Sequence, residues 1–194
     1  MLGERHLAIF HVDQLGRFLG LPPDKNAPAY RDLVAALERV LEAVERAVRQ
    51  VPSAHLSTPT PNRGRDLREL VYNIHDPINL MRESLETGRF DWLTADDFQE
   101  SRRFTTSAEL AQFCRATRLH WVERAILVDA EEAMRSVWTP RGDLSQQQLL
   151  EAQAWHAAQH LRQIYVFLKE IGITPIEELT ADGMQPIKLG EEIF

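Results

Sequence analysis

The stretch Leu150-Glu151-Ala152-Gln153-Ala154-Trp155-His156-Ala157-Ala158-Gln159-His160-Leu161-Arg162-Gln163-Ile164-Tyr165-Val166-Phe167-Leu168 decides the fold. Leu150, Ala154, Ala157, Leu161, Ile164 and Leu168 recur three or four residues apart, the stripe of an amphipathic helix. Ser145 is a suitable N-cap, and Gly172 stops the helix after Ile171. His156 and His160 flank the stripe one turn apart, so their imidazoles stack on one helix face. Two imidazoles so placed can share one metal ion, as in other helix-borne H-x3-H zinc pairs. A metal held by few protein ligands keeps an open position for chemistry.

Outward from this helix, three more segments carry the same period. Leu33, Leu37, Val40, Leu41, Val44 and Val48 predict a helix from about Tyr30 to Gln50, closed by Pro52. Leu67, Leu70, Val71, Ile74, Ile78, Met81 and Leu85 predict a second from about Arg65 to Thr87, ended by Gly88. His75 sits within that stripe, and Pro77 should bend the helix near Asn73. A third begins near Ser107 as N-cap, with Glu109 in its first turn. Its inner face is Leu110, Phe113, Cys114, Thr117 and Trp121, and it runs on or restarts through Ala130 to Val137. A loop of about eighteen residues, anchored by Trp92 and Phe98, precedes it; one that long is more often functional than incidental. No β-strand is expected. The fold class is all-α, an antiparallel four-helix bundle over residues 30–175. Residues 1–29 form a short helical arm broken by Pro22, Pro23 and Pro28, and residues 176–194 an irregular tail.

Bulk properties exclude several roles. The chain has 194 residues, enough to bury a core without disulfides. Its net charge is −7 with no long basic block, which argues against non-specific binding to nucleic acid or to anionic membranes. Cys114 is the single cysteine, so neither an internal disulfide nor a cysteine zinc cluster can form. The N-terminus lacks a signal-peptide pattern, and a cytoplasmic location is expected. Phe10, Leu15, Phe18, Leu19 and Leu21 give the arm an apolar side that suggests a homodimer, or packing on its own bundle.

Composition alone would produce roughly 0.2 H-x3-H pairs in this chain, so the pair is not decisive by itself. A third histidine, His75, in the apolar stripe of another helix strengthens it; three imidazoles suit zinc, nickel or iron. Alternatively His75 is a core histidine satisfied by one hydrogen bond, and His156 and His160 are a polar seam between helices. Asp76, Gln159 and Gln163 are candidates to orient ligand imidazoles, and Trp155 to line a pocket. His120 reads first as a surface or core histidine and otherwise as a fourth ligand or an acid/base, and Arg162 first as a surface ion-pair residue and otherwise as a binder of an anionic substrate. Cys114, beside Phe113 on an apolar face, reads as a small hydrophobe rather than a nucleophile.

The segment around His75 and the run from Trp155 to Gln163 resemble the two ligand regions of the DinB-like (DinB/YfiT) superfamily, a match that spans residues 30–171. That family is a four-helix bundle with one ligand histidine on its second helix and an H-x3-H pair on its last long helix. The resemblance implies His75, His156 and His160 as ligands of a divalent metal: zinc first, or nickel, iron or manganese. The W-H-x-x-Q-H-x-R-Q form is similar to the branch in which a glutaredoxin-like domain precedes the bundle, and residues 1–23 would be a remnant of that domain's last helix. No C-x-x-C is present, so glutaredoxin-type redox chemistry is absent. The chain departs from the family at Ala157, where many members carry an acid, and at Pro77.

The same resemblance implies a metal-dependent S-transferase or isomerase that joins a low-molecular-weight thiol, such as bacillithiol or mycothiol, to a small electrophilic substrate. A bound metal lowers the pKa of a thiol as it does that of water. The alternatives are a metal-dependent hydrolase and a non-catalytic, stress-associated binding or scaffold protein with a structural metal or none.

Overall fold

The computed structural model describes residues 28–61, 64–94, 98–190 and 193. The N-terminal arm, with the apolar residues that motivate a dimer, lies outside the described residues up to position 27. Helix α1 spans Tyr30–Gln50, α2 Leu67–Thr87 and α3 Ser107–Ala125. A short α4, Ala130–Met134, follows, then strands β1, Ser136–Val137, and β2, Leu144–Ser145, and finally α5, Gln146–Glu170.

The starts of α2, α3 and α5 are set by capping boxes. Asp66 and Glu69, Thr106 and Glu109, and Ser145 and Gln148 exchange side-chain to backbone hydrogen bonds across the first turn. The cap of α3 is therefore Thr106, one residue before the expected Ser107. Ser107 does other work: its hydroxyl donates to the Val51 carbonyl and its amide to Ser53 Oγ, tying the start of α3 to the end of α1. Helix α2 ends at Gly88, whose φ of 67° is the left-handed conformation that favours glycine. It runs as one helix through Pro77.

The main packing pairs are α1 with α3, α1 with α5, α2 with α3, and α2 with α5. Cross-links between them give the directions. Ser107 meets Val51 while Arg118 meets Glu38, so α1 and α3 are antiparallel. Ser84 meets Gln146 while Asn73 meets His160, so α2 and α5 are antiparallel. Gln147 reaches Pro28 at one end and Ile176 reaches Gln50 at the other, so α1 and α5 are parallel. Phe113 stacks on Tyr72 and Arg124 pairs with Glu86, so α2 and α3 are parallel. The order is up, down, down, up.

This order accounts for the long loop. Consecutive parallel helices need a link that travels back along the bundle, roughly 30 Å for a helix the length of α2. The segment 88–106 is that crossover. It contains the 3-10 turns Trp92–Thr94 and Gln99–Arg103, and buries Phe90 and Phe104. Trp92 and Phe98 pack partly buried against the core, as expected.

The expectation of no strand needs correction. β1 and β2 form an antiparallel ladder of two residues each, too short to show a period. Arg135 just before it donates to the carbonyls of Ser84 and Leu85, satisfying the C-terminal end of α2.

Leu150, Ala154, Ala157, Leu161, Ile164 and Leu168 of α5 are all fully buried, as are Leu37, Val40 and Leu41 of α1. Leu161→Ala should lower unfolding free energy by about 2–5 kcal/mol, read as a reduced urea midpoint with an unchanged m-value. A change below 1 kcal/mol would mean that α5 does not pack its stripe into the core.

Candidate metal centre at the α2–α5 interface

His156 and His160 project from α5 with their Nε2 atoms 3.0 Å apart. Their rings meet edge to face, with centroids separated by 4.4 Å. The helix periodicity brings them together, and α2 supplies the residue opposite. The Asn73 amide lies 3.2 Å from His156 Nε2 and 2.9 Å from His160 Nε2. His160 is buried, while Asn73 and His156 are half-buried. Three polar side chains thus converge at the seam of two antiparallel helices.

Hydrogen-bond roles follow from what each partner can do. Gln163 Nε2 donates to the Ile193 carbonyl at 2.8 Å, and a carbonyl can only accept. Gln163 Oε1 then faces His160 Nδ1 at 2.7 Å and accepts its proton. The neutral His160 ring consequently carries its lone pair on Nε2, aimed at His156 and Asn73. With its nitrogen turned inward, the Asn73 amide donates to His160 Nε2. Turned about its last torsion, it presents Oδ1 instead, an oxygen ligand of the kind divalent metals accept.

His75 is not brought to this cluster. It is fully buried, donates from Nδ1 to the Val71 carbonyl at 2.9 Å, and packs its ring against Phe113 of α3 at 5.6 Å. Its Nε2 is buried without a hydrogen-bond partner among the described residues. The reason is helical phase. Two positions along a helix turn the side chain by about 200°, so Asn73 facing α5 sends His75 toward α1 and α3. Among the described residues, no group of three or more His, Cys, Asp and Glu is arranged to hold a metal. The side chains gathered here are two imidazoles and the Asn73 amide rather than the expected three histidines, and the amide would offer an oxygen to a metal only after turning.

The other sequence candidates divide. Gln163 orients His160, and Gln159 donates to the Ile193 carbonyl at 2.7 Å while its own oxygen accepts from Arg162. Asp76 accepts from Tyr72. Trp155 packs half-buried against the core. His120 is exposed on α3, and Cys114 is buried, where loss of hydration followed by the nearby Glu45 charge pushes its thiol well up. Neither reaches the cluster by any contact above. Sequence reading missed Asn73; its signal was a polar residue in an otherwise apolar stretch, opposite His75 in helical phase.

No family model matches the sequence, and no curated protein matches it. Among solved structures, the bundle is similar to YfiT from Bacillus subtilis, with a TM-score of 0.63 and 16% identity. The match covers 79% of this chain and 94% of that one. The chain has the YfiT fold. YfiT itself is described as "a probable metal-dependent hydrolase with an unusual four-helix bundle topology". The up, down, down, up order is the arrangement found here. No helix of the described residues is long and apolar enough to cross a membrane.

Burial lowers the His75 pKa from 6.5 to about 4, against smaller raising effects of the Val71 carbonyl and the Glu45 charge. The unfolded chain therefore binds more protons than the native one between these values. Stability from keeping His75 neutral is present above pH 6.5 and is lost as pH falls toward 4. Between pH 7 and pH 5 this one group should remove about 2 kcal/mol. Urea unfolding at the two pH values checks this, with His75→Leu expected to lose most of the difference. An equal pH dependence in that variant would show that His75 is not buried neutral.

Proposed function

We propose that the protein binds a divalent metal at His156, His160 and Asn73 and uses it to activate a nucleophile toward a small-molecule electrophile. The observation that carries this reading is the 3.0 Å convergence of two imidazole nitrogens, one with its lone pair fixed inward. Tetrahedral zinc with bonds of about 2.0–2.1 Å sets its ligand nitrogens a little over 3 Å apart. A divalent metal held there would keep an open position and lower the pKa of a thiol or a water joining it.

The preferred nucleophile is a low-molecular-weight thiol. From Ala152 to Ile164 the imidazole-bearing helix offers no carboxylate, and Ala157 stands beside His156 where an acid would serve as base. A thiol starts near pKa 8.5 and gives up its proton far more readily than water does. In the transfer, the thiol proton leaves to solvent, sulfur forms the new bond to carbon, and the leaving group departs with its bonding pair.

A hydrolase is the second reading, favoured by the description of YfiT. Asp76 would then be the base: it lies three residues after Asn73, one turn along the same side of α2. A scaffold role without metal is the third. In it the Asn73 amide would remain turned inward, donating to His160.

Zinc or cobalt titration of metal-free protein should show one site per chain. His156→Ala and His160→Ala should each weaken it by more than about 100-fold, beyond what loss of an orienting partner costs. Asn73→Ala should weaken it less, and His75→Leu should bind as wild type. Turnover of a halonitroarene with a panel of thiols, set against ester hydrolysis without thiol, separates transferase from hydrolase. Metal binding that depends on His75 rather than Asn73 would overturn the ligand set.

A further inference from the structure

Among the described residues near the C-terminal end, Gly183 and Gln185 are held by Arg39 of α1, and Gly190 and Ile193 by α5. Met184 and Ile187 are buried, and Leu189 packs against the core. The Gly190 carbonyl accepts from Arg162 at 2.7 Å. The Ile193 carbonyl accepts from both Gln159 and Gln163, and Gln163 is 1% exposed. A buried amide has two ends and, in principle, two orientations. Here the choice is forced, because a backbone carbonyl cannot donate. Gln163 must turn its nitrogen to Ile193 and its oxygen to His160.

We propose that Gln163 is a positioning residue and that the C-terminal strap, through the Ile193 carbonyl, sets the tautomer of His160. The relay has three links. Ile193 fixes the Gln163 amide, Gln163 Oε1 holds the proton on His160 Nδ1, and His160 Nε2 is left as a lone pair facing the cluster. When the strap is removed, Gln163 is free to turn, and the Asn73 amide that favours the same tautomer can turn with it, presenting Oδ1 to a protonated Nε2. The Gln163 nitrogen can then face His160 Nδ1 and donate to it. The ring must accept there and carry its proton on Nε2, where it points at His156 and Asn73. A proton in that place must move to Nδ1 before Nε2 can ligate, which weakens a metal there without abolishing the ligand. The strap therefore regulates the cluster: a binder that lifts the last residues, or a protease that trims them, would weaken it. This inference rests on the metal-site reading for its consequence, but not for the tautomer itself.

The test reads the tautomer directly. Long-range nitrogen–proton correlation spectra of metal-free, nitrogen-15-labelled full-length protein should show His160 protonated at Nδ1. A chain ending at Leu189 should shift His160 toward the Nε2-protonated form, and so should full-length Gln163→Met. Gln163→Glu supplies an acceptor whatever the strap does. In the chain ending at Leu189 it should restore the Nδ1-protonated form. Zinc affinity should follow, falling about 10–100-fold in the shortened chain and recovering with Gln163→Glu. An unchanged His160 tautomer in both the shortened chain and Gln163→Met would overturn the proposal. If the tautomer shifts as expected but no form binds zinc, the relay stands and the metal reading fails. Circular dichroism melting of each variant separates a local change from unfolding, and Gln163→Met keeps the test open should the shortened chain not fold.

Discussion

Helix α2 is packed between α3 on one side and α5 on the other, and the polar chemistry of the bundle is divided by the phase of that one helix. Each residue turns the side chain by about 100°, so positions 73 and 75 cannot serve the same face. Asn73 goes to the imidazole pair of α5, and His75 goes into the interior against Phe113. Everything distinctive about the cluster follows from that division. A site with three imidazoles needs a histidine in the Asn73 phase. This chain places a neutral amide there and keeps its third histidine as a buried, uncharged group.

The up, down, down, up order gives α2 this position. In a bundle of successive antiparallel hairpins, α2 would pack chiefly on α1 and α3. Here the crossover 88–106 lets α3 lie parallel to α2, while α5 closes antiparallel on its other side. The crossover is stabilised by Phe90 and Phe104, and where it enters α3 Phe113 stacks on Tyr72 and meets the Phe104 ring at a tilt. The loop that reads as functional in the sequence is therefore first a topological requirement of parallel neighbours.

Much of this was legible in the residues. The four apolar stripes, the Pro and Gly stops and the Ser145 cap mark the helices because burial and capping are local in sequence. The imidazole pair was legible for the same reason, since four residues in one helix bring two side chains together whatever the rest does. The third partner was not. Whether position 73 or 75 meets α5 depends on how α2 is rotated between its two neighbours, and its apolar residues, including Val71, Ile74 and Ile78, are buried on both sides. A stripe buried that broadly does not mark which side faces which helix. The tail was likewise read as irregular, which it is by backbone, while its hydrogen bonds to Arg162, Gln159 and Gln163 are long-range and have no periodic trace.

An all-neutral set of partners has a chemical consequence. Two imidazoles and an amide donate electron density without cancelling any of a divalent cation's charge, whereas a carboxylate in place of either would cancel part of it. Binding by such a set is weaker, because hard cations gain most from anionic oxygen. The charge left on the metal is correspondingly greater, and so is its pull on the proton of any thiol or water that joins it. Affinity and activation are thus set against each other at Asn73. In the metal-free state the same amide lies 3.2 and 2.9 Å from the two Nε2 atoms and can donate to the lone pair of His160. Metal binding as proposed would require the amide to turn and give up its hydrogen bond to His160, a cost that an aliphatic residue would avoid but an oxygen ligand would return. On the proposed metal reading, a side chain able to close the cluster with its nitrogen and ligate with its oxygen would make occupancy depend on the metal offered, as in a selective site rather than a permanent structural clasp.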